Sequence, residues 1–311
     1  MKELRAFFRR FGIGFSLLLL GLLLTLLSDR FLTTNNLINI FRQATINGII
    51  AVGMTVVIMT RGIDLSVGSI LALSSIVTAD LLQRGQVVGI ALLVGLGLGA
   101  LLGLLNGLLV TRLRVPPFIA TLGMMVFARG AALTYTQGKP ITGLPESFRA
   151  IGTGAVGGIP LPVIVAGVVF GVGYFLLNRT RHGVAIYGIG GNETAARYAG
   201  LPVRRYITLV YVASGLLAAL AGMILTARLN SAQPVAGEGY EFDAIAAVVV
   251  GGTSFAGGVG SVGGTLLGTL IIEVIKNGLN LLNVSSFYQD VVKGVVIALA
   301  LLVHNLMGRR S

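Results

Sequence analysis

The chain has 311 residues, 55% of them hydrophobic and 11% charged, and its mean hydropathy is +0.91. Soluble domains carry about 25% charged residues, so a water-soluble fold is excluded and a membrane protein is expected. With no cysteine and only two histidines, His182 and His304, there is no basis for a disulfide framework, a thiol nucleophile or a metal site. The net charge of +12 is scattered between apolar runs rather than clustered, so no nucleic-acid partner is expected, and the charges are read as a topology signal with membrane lipid as the surroundings.

A membrane-spanning helix needs about 20 mostly apolar residues. On that measure the sequence predicts an all-α, polytopic membrane helix bundle of about ten spans with broken or re-entrant segments. The spans fall near residues 11–27, 41–60, 66–82, 87–111, 118–136, 160–178, 206–227, 241–252, 261–280 and 286–304. The eighth is too short to cross alone as a regular helix. The first resembles a secretory signal, with a basic start and an apolar core, but it is long for one and no clean cleavage site follows, so it is read as a retained span.

Basic residues favour cytoplasmic loops. With the N-terminus inside, fourteen of the 23 basic residues face the cytoplasm, and six (Arg30, Arg42, Arg84, Lys139, Arg149 and Arg228) face outward. Both termini are therefore expected to be cytoplasmic. Residues 1–311 are read as a single transmembrane domain with two longer connections. The outer loop 137–159 is rich in glycine, and the inner loop 179–205 is polar and basic.

The 45 glycines need a reason, because glycine inside a helix in water costs about 1 kcal/mol relative to alanine. Between membrane helices, small residues let backbones approach closely. Gly95, Gly99, Gly103 and Gly107 recur every four residues and so line one face of a helix. This pattern fits helix packing within one subunit, or a seam between two.

Three segments stand out between the apolar runs. The first is Thr60-Arg61-Gly62-Ile63-Asp64-Leu65-Ser66-Val67-Gly68-Ser69. Its glycines around an acid and two serines suit a broken backbone beside a cavity. An ordinary turn in which Asp64 caps the next helix is the other reading, and the two are compatible. The second segment, Gly251 to Ser261, also ends in Val-Gly-Ser, which hints at an internal repeat. The third, Gly188 to Leu201, holds a short small-residue stretch that Gly200 and Pro202 terminate. It is suited to dock in a partner's groove, or to serve as a solvated connector.

The chain has no phosphate-binding loop: Gly138-Lys139 runs into proline, and Gly188-Ile189-Gly190 has no strand–helix unit around it. No catalytic cluster converges either, so the chain is not expected to be an enzyme by itself or to hold a cofactor.

These three segments, in this order, resemble the permeases of bacterial ATP-binding-cassette importers for monosaccharides, of the ribose permease type. The likeness runs through Ala51–Leu73, Phe118–Pro140, Gly190–Val203, Ser231–Gly260 and Asn277–Val292. It departs in the tail and in the outer loop 142–160. The resemblance implies a pore subunit in the bacterial inner membrane, with three kinds of partner: a cytoplasmic ATPase that uses ATP and magnesium, a periplasmic sugar-binding protein, and a second permease copy or a related one. It also implies that Gly191, Asn192, Glu193, Ala195, Ala196, Arg197 and Gly200 form the coupling helix. A path for a neutral, hydroxyl-rich sugar calls for amides, hydroxyls and aromatic faces, so the candidates along it are Asp64, Ser66, Phe118, Thr121, Tyr135, Gln233 and Asn280. The alternative is an ion-coupled secondary transporter of a small polar solute, which needs ionisable groups in mid-membrane. Its candidates are Arg129, Asp243, Glu273, Lys276 and Lys293.

Overall fold

The structure is a computed structural model that describes residues 2–285, 287–289, 291–295 and 298, with side chains from residue 12 onward. In chain order the helices are α1 Lys2–Leu27, α2 Thr34–Met59, α3 Val67–Gln83, α4 Val88–Thr111, α5 Pro117–Thr136, α6 Glu146–Thr153, α7 Leu161–Arg179, α8 Arg181–Gly191, α9 Glu193–Tyr198, α10 Val203–Leu229, α11 Tyr240–Val250 and α12 Val262–Leu281. Four two-residue strands, β1 Ile141–Thr142, β2 Ala155–Val156, β3 Ile159–Pro160 and β4 Ser231–Ala232, pair antiparallel as β1 with β4 and β2 with β3.

The expected ten spans are not found. Among the described residues six helices, α2, α4, α5, α7, α10 and α12, are long and apolar enough to cross a membrane. The segments expected at 11–27 and 66–82 form shorter apolar helices, Gly12–Leu27 and Val67–Gln83. The segment at 241–252 is α11, whose 11 residues reach about 16 Å at 1.5 Å per residue, half of a hydrocarbon core of about 30 Å. The tenth, 286–304, runs into residues outside the described ones. Counting apolar runs overestimates spans because a run does not say what it faces. Along most of α3 the residues are buried, on every side of the helix, and a helix that is apolar all round packs inside protein.

Helix α2 is the most enclosed of the six, while α4, α5 and α7 expose most of their surface. The main apolar core joins α2, α3, α10 and α11. Helix α10 lies along α4 with almost no side chain between them. A Cβ on Gly99 would stand 2.5 Å from the Gly215 carbonyl oxygen, one on Gly215 would stand 2.2 Å from that of Gly99, and one on Gly103 would stand 2.2 Å from that of Tyr211. Gly107 faces Thr208 of α10, and Gly95 faces Thr78 of α3 and Met223 of α10. All four glycines of the α4 stripe therefore meet helices of the same chain, at a spacing only glycine permits.

The bundle has two differently built ends. One carries α6 and both sheets. There the Gln83 amide donates to the Thr142 carbonyl at 2.7 Å, and the Leu144 amide donates to Asn230 Oδ1 at 3.0 Å. The other end carries α8, α9, the connection 60–66 and the glycine-rich segment 251–261.

Candidate functional site

At the α8–α9 end, three segments far apart in sequence meet. Helix α2 stops at Met59, and Arg61 takes a left-handed conformation, φ 63°. The chain then descends through Gly62, where any Cβ would stand 2.5 Å from the Tyr211 hydroxyl. Asp64 follows, wholly buried. Its Oδ1 accepts from the Ser66 amide at 3.0 Å and the Ser66 hydroxyl at 2.6 Å, and its Oδ2 accepts from the Ser214 hydroxyl at 2.8 Å. Asn106 Nδ2 donates to Ser66 Oγ at 2.8 Å. The Thr121 hydroxyl donates to the Ile63 carbonyl at 3.2 Å. One carboxylate thus ties the start of α3 to α10 directly and to α4 through Ser66. A buried carboxylate is tolerated when its lone pairs are met by donors, and here three are.

The second and third segments close on the first through backbone. The Gly258 amide donates to the Met59 carbonyl at 2.9 Å. Arg61 Nε donates to the Gly190 carbonyl and its Nη2 to the Gly191 carbonyl, both at 2.7 Å. The Tyr187 hydroxyl donates to the Gly260 carbonyl at 2.8 Å, and burial raises that phenol's pKa, which keeps it a donor.

Helix α9 projects from this knot. The Asn192 side chain caps its start by accepting from the Ala195 amide at 3.0 Å. Glu193 and Arg197 pair at 2.6 Å, and Gly200 at φ 81° ends it, with the Leu201 amide donating back to the Ala196 carbonyl at 3.1 Å. Ala196 faces inward, buried against Ile189 and Val203. Ala195 and Gly191 are exposed, and Tyr198, a residue the sequence reading passed over, is 89% exposed.

A cleft of about 1200 Å³ opens between α3, α5, α11 and residues 293–294, with Ser69, Arg129, Glu238, Glu241, Phe242 and Lys293 in its walls. Next to Ser69, α3 meets the turn before α11 closely: a Cβ on Gly68 would stand 2.1 Å from the Gly237 carbonyl and 2.8 Å from Glu241 Oε2. Arg129 donates to the carbonyls of Pro234 at 2.5 Å and Ala236 at 2.9 Å, so it holds the turns that lead into α11 in place.

The seven path candidates do not converge. Asp64, Ser66 and Thr121 belong to the buried node. Phe118 is exposed near the start of α5. Tyr135 donates to Asp80 Oδ2 at 2.6 Å, beside the Arg84–Asp80 ion pair at 2.8 Å, at the opposite end of the bundle. Gln233 is exposed and offers its carbonyl to the Ala236 amide at 3.0 Å. Asn280 accepts from Gln289 at 2.8 Å. None of the seven is among the lining residues of the cleft.

Four of the five ionisable candidates do come together. Asp243 pairs with Lys276 at 2.5 Å and with Lys293 at 3.0 Å, and Lys276 lies 3.6 Å from Glu273. Asn47 donates to Glu273. Two acids against two bases leave this network neutral. Asn106 and Ser214 were also passed over in the sequence. Each is a lone polar residue in an apolar run, and a lone polar group in such a run calls for a polar partner across the bundle.

Among the described residues, no group of three or more His, Cys, Asp or Glu is arranged to hold a metal ion.

Residues 36–301 match the family described as branched-chain amino acid transport system / permease component. The chain is 51% identical over 294 residues to the ribose import permease protein RbsC of Escherichia coli K12, an alignment covering 93% of this chain and 92% of that one. It is also 51% identical over 297 residues to RbsC of Bacillus subtilis 168, covering 95% and 92%. To the D-allose transport system permease protein AlsC of Escherichia coli K12 it is 41% identical over 305 residues, covering 97% and 94%. No solved structure matches. The chain therefore belongs to this family of transport permeases, whose members are multi-pass membrane subunits rather than catalysts.

Proposed function

We propose that the chain is the membrane subunit of an ATP-driven importer that passes a monosaccharide of the ribose, allose or galactose class across the bacterial inner membrane, with ribose the leading substrate. The observation that carries this reading is the 51% identity to ribose import permeases across 93% of the chain. In this reading a separate cytoplasmic ATPase with its bound ATP and magnesium drives transport, a periplasmic binding protein delivers the sugar, and a second permease copy completes the pore.

The α8–α9 end faces the cytoplasm, and α9 is the dock for the ATPase. Support comes from its form: a short helix capped at both ends, carrying Tyr198 almost fully exposed, on the end where Arg179, Arg181, Arg204 and Arg205 also lie. The cleft beside Arg129, Glu238, Glu241 and Lys293 is the transit chamber. Carboxylates there accept from sugar hydroxyls, and the guanidinium and ammonium donate to sugar oxygens. Phe242 supplies an apolar face. Apart from Ser69, the chamber's polar side chains are charged, whereas a path for a neutral sugar was expected to offer amides and hydroxyls.

The test is uptake. The chain, with its cognate ATPase and binding protein in cells lacking their own ribose permease, should import labelled D-ribose. No import of ribose, allose or galactose with all three proteins present would overturn the reading.

A further inference from the structure

In the knot at the α8–α9 end, one side chain ties the connection between α2 and α3 to the last residues of α8, just before α9. Arg61 sits on the connection between α2 and α3. Its guanidinium donates to the Gly190 and Gly191 carbonyls at 2.7 Å each. These are the last two residues of α8, and α9 begins two residues later with Asn192 as its cap. The final carbonyls of a helix have no partner within it and carry the negative end of its dipole, so a planar cation with two parallel donors suits them.

Several features show that this contact is built rather than incidental. Arg61 holds a left-handed backbone, φ 63°, which a long side chain adopts only when its surroundings impose it. Gly190 has no space for a Cβ, which would stand 1.8 Å from the Met59 carbonyl and 2.4 Å from the Gly258 amide. Gly257 likewise leaves room for the Arg61 stem, with a Cβ there falling 2.5 Å from Arg61 Cγ. Two segments, α8 and 251–261, therefore meet the end of α2 at glycines, and Gly257 does so against the arginine stem itself. Three residues further on, Asp64 binds Ser66 and Ser214, so the same short connection grips α8 with one residue and α3 and α10 with another.

We infer that Arg61 is the positioning residue that carries displacement of α9 into the Asp64 node, so that movement imposed by the ATPase reaches the helices around the cleft. This rests on the reading of α9 as the ATPase dock. Each hydrogen bond to a backbone carbonyl fixes a distance. Two from one rigid guanidinium fix an orientation as well, so the α8–α9 corner and the α2–α3 connection move together. Lysine at this position would keep the charge and lose the two-pronged geometry.

The experiment uses the assembled complex of permease, ATPase and binding protein in proteoliposomes, with D-ribose as the probe. Because the chain lacks cysteine, Glu193→Cys gives a single cross-linking site on α9 to report docking. In both Arg61→Ala and Arg61→Lys the Glu193→Cys cross-link to the ATPase should persist, while coupling weakens strongly in the first and less in the second. ATP hydrolysed per ribose imported should rise by about tenfold in Arg61→Ala, within the usual range for coupling between two sites. A residue that only stabilises the fold would lower assembly and both rates together and leave that ratio alone. If Arg61→Ala fails to reach the membrane, Arg61→Lys decides by the same ratio. A wild-type ratio with docking intact overturns the inference and leaves the docking reading standing. Absence of the cross-link in the otherwise wild-type complex removes the docking reading, and the inference with it.

Discussion

The bundle is interrupted twice at the same end, at residues 60–66 after α2 and at 251–261 after α11, and the two interruptions are held by different means. In the first, a buried acid gathers side chains from three helices: Ser66 at the head of α3, Ser214 of α10 and, through Ser66, Asn106 of α4. In the second there is no acid. Gly252, Gly257 and Gly258 all take positive φ, and the segment closes on Met59 by a backbone hydrogen bond. A Val-Gly-Ser follows the first and closes the second, yet out of register. Val67-Gly68-Ser69 already lies in the first turn of α3, whereas Val259-Gly260 precedes Ser261, the N-cap of α12. The shared residues do not mark one repeated unit. What they share is a glycine against which another segment packs: Gly237 over Gly68, and the Met59 side chain, with Thr253 of the same loop, over Gly260. The side-chain-held break locks neighbouring helices to each other, and the glycine-held break lets a loop lie flat against α8.

The largest effect should come from removing the acid. Asp64→Ala leaves the Ser66 amide and the hydroxyls of Ser66 and Ser214 without their acceptor. At about 1–3 kcal/mol for each buried unsatisfied group, unfolding in mixed micelles should become easier by about 3 kcal/mol or more, and ribose uptake should be lost while some protein still inserts. Asp64→Asn keeps one acceptor and places a donor beside a hydroxyl that can reverse its role, so it should retain much of the fold. If Asp64→Ala inserts, assembles and transports normally, the carboxylate is a replaceable turn residue and the contrast between the two breaks is empty.

Next in size is a substitution in the glycine-held contact. Gly190→Ala puts a methyl 1.8 Å from the Met59 carbonyl, a distance no real contact tolerates, so the knot must open. Overpacking of this kind costs about 1–3 kcal/mol. Because the contact is backbone to backbone, α3, α4 and α10 should keep their packing, and the loss should appear as proteolytic sensitivity confined to residues 180–202 and 251–261. Sensitivity spread across the whole chain would mean that the two breaks are one structural unit.

How far these regions were legible in the sequence follows from what each depends on. Glycine spacing located the α4 stripe, and glycine clusters located all three loops, because close backbone approach has a compositional mark. Their meeting in one knot had none: the Arg61 contacts span 129 and 130 residues, and nothing local fixes such a closure. The span count went wrong for a related reason. Apolar runs at 66–82 and 241–252 signal burial, and burial inside protein looks the same in composition as burial in lipid. In the Asp64 node, Asp64 and Ser66 were visible beside glycines. Asn106 sits in Leu-Leu-Asn-Gly-Leu-Leu and Ser214 in Ala-Ser-Gly-Leu-Leu, where only pairing across the bundle reveals them. The cleft was missed because its wall is assembled from five separate stretches, with Glu238 on the turn before α11 and Glu241 in the first turn of α11.

Smaller again is Ser66→Ala. Ser66 Oγ donates to Asp64 and accepts from Asn106, and all three residues are wholly buried. Truncation leaves the Asn106 amide without that acceptor, and about 2 kcal/mol of destabilisation is expected. Asn106→Leu combined with Ser66→Ala should recover part of that loss, since replacing both partners by apolar groups removes the unsatisfied donor. No recovery in the double variant would mean that Asn106 serves something other than Ser66.

The smallest effect sharpens the comparison most, because it tests the same residue type in the other break. Ser261 is exposed, and its hydroxyl accepts from the Gly264 amide at 2.9 Å as the N-cap of α12. Its backbone is extended there, φ −155° and ψ 145°, the usual geometry of a capping residue. Ser261→Ala removes that acceptor from a site water can reach, so the freed amide finds a solvent partner and the loss should be about 1 kcal/mol. Ser261→Asp should restore it, since aspartate caps as well as serine and its charge suits a helix start. Ser66 allows no such exchange. It caps nothing with its side chain, and a second carboxylate beside Asp64 would be buried against the first. The pair of aspartate variants therefore separates the two breaks in one measurement. Unfolding in mixed micelles should show Ser261→Asp close to the wild type and Ser66→Asp strongly destabilised. Equal tolerance at both positions would mean that the first break is as open to water as the second, and that Asp64 does not hold it shut.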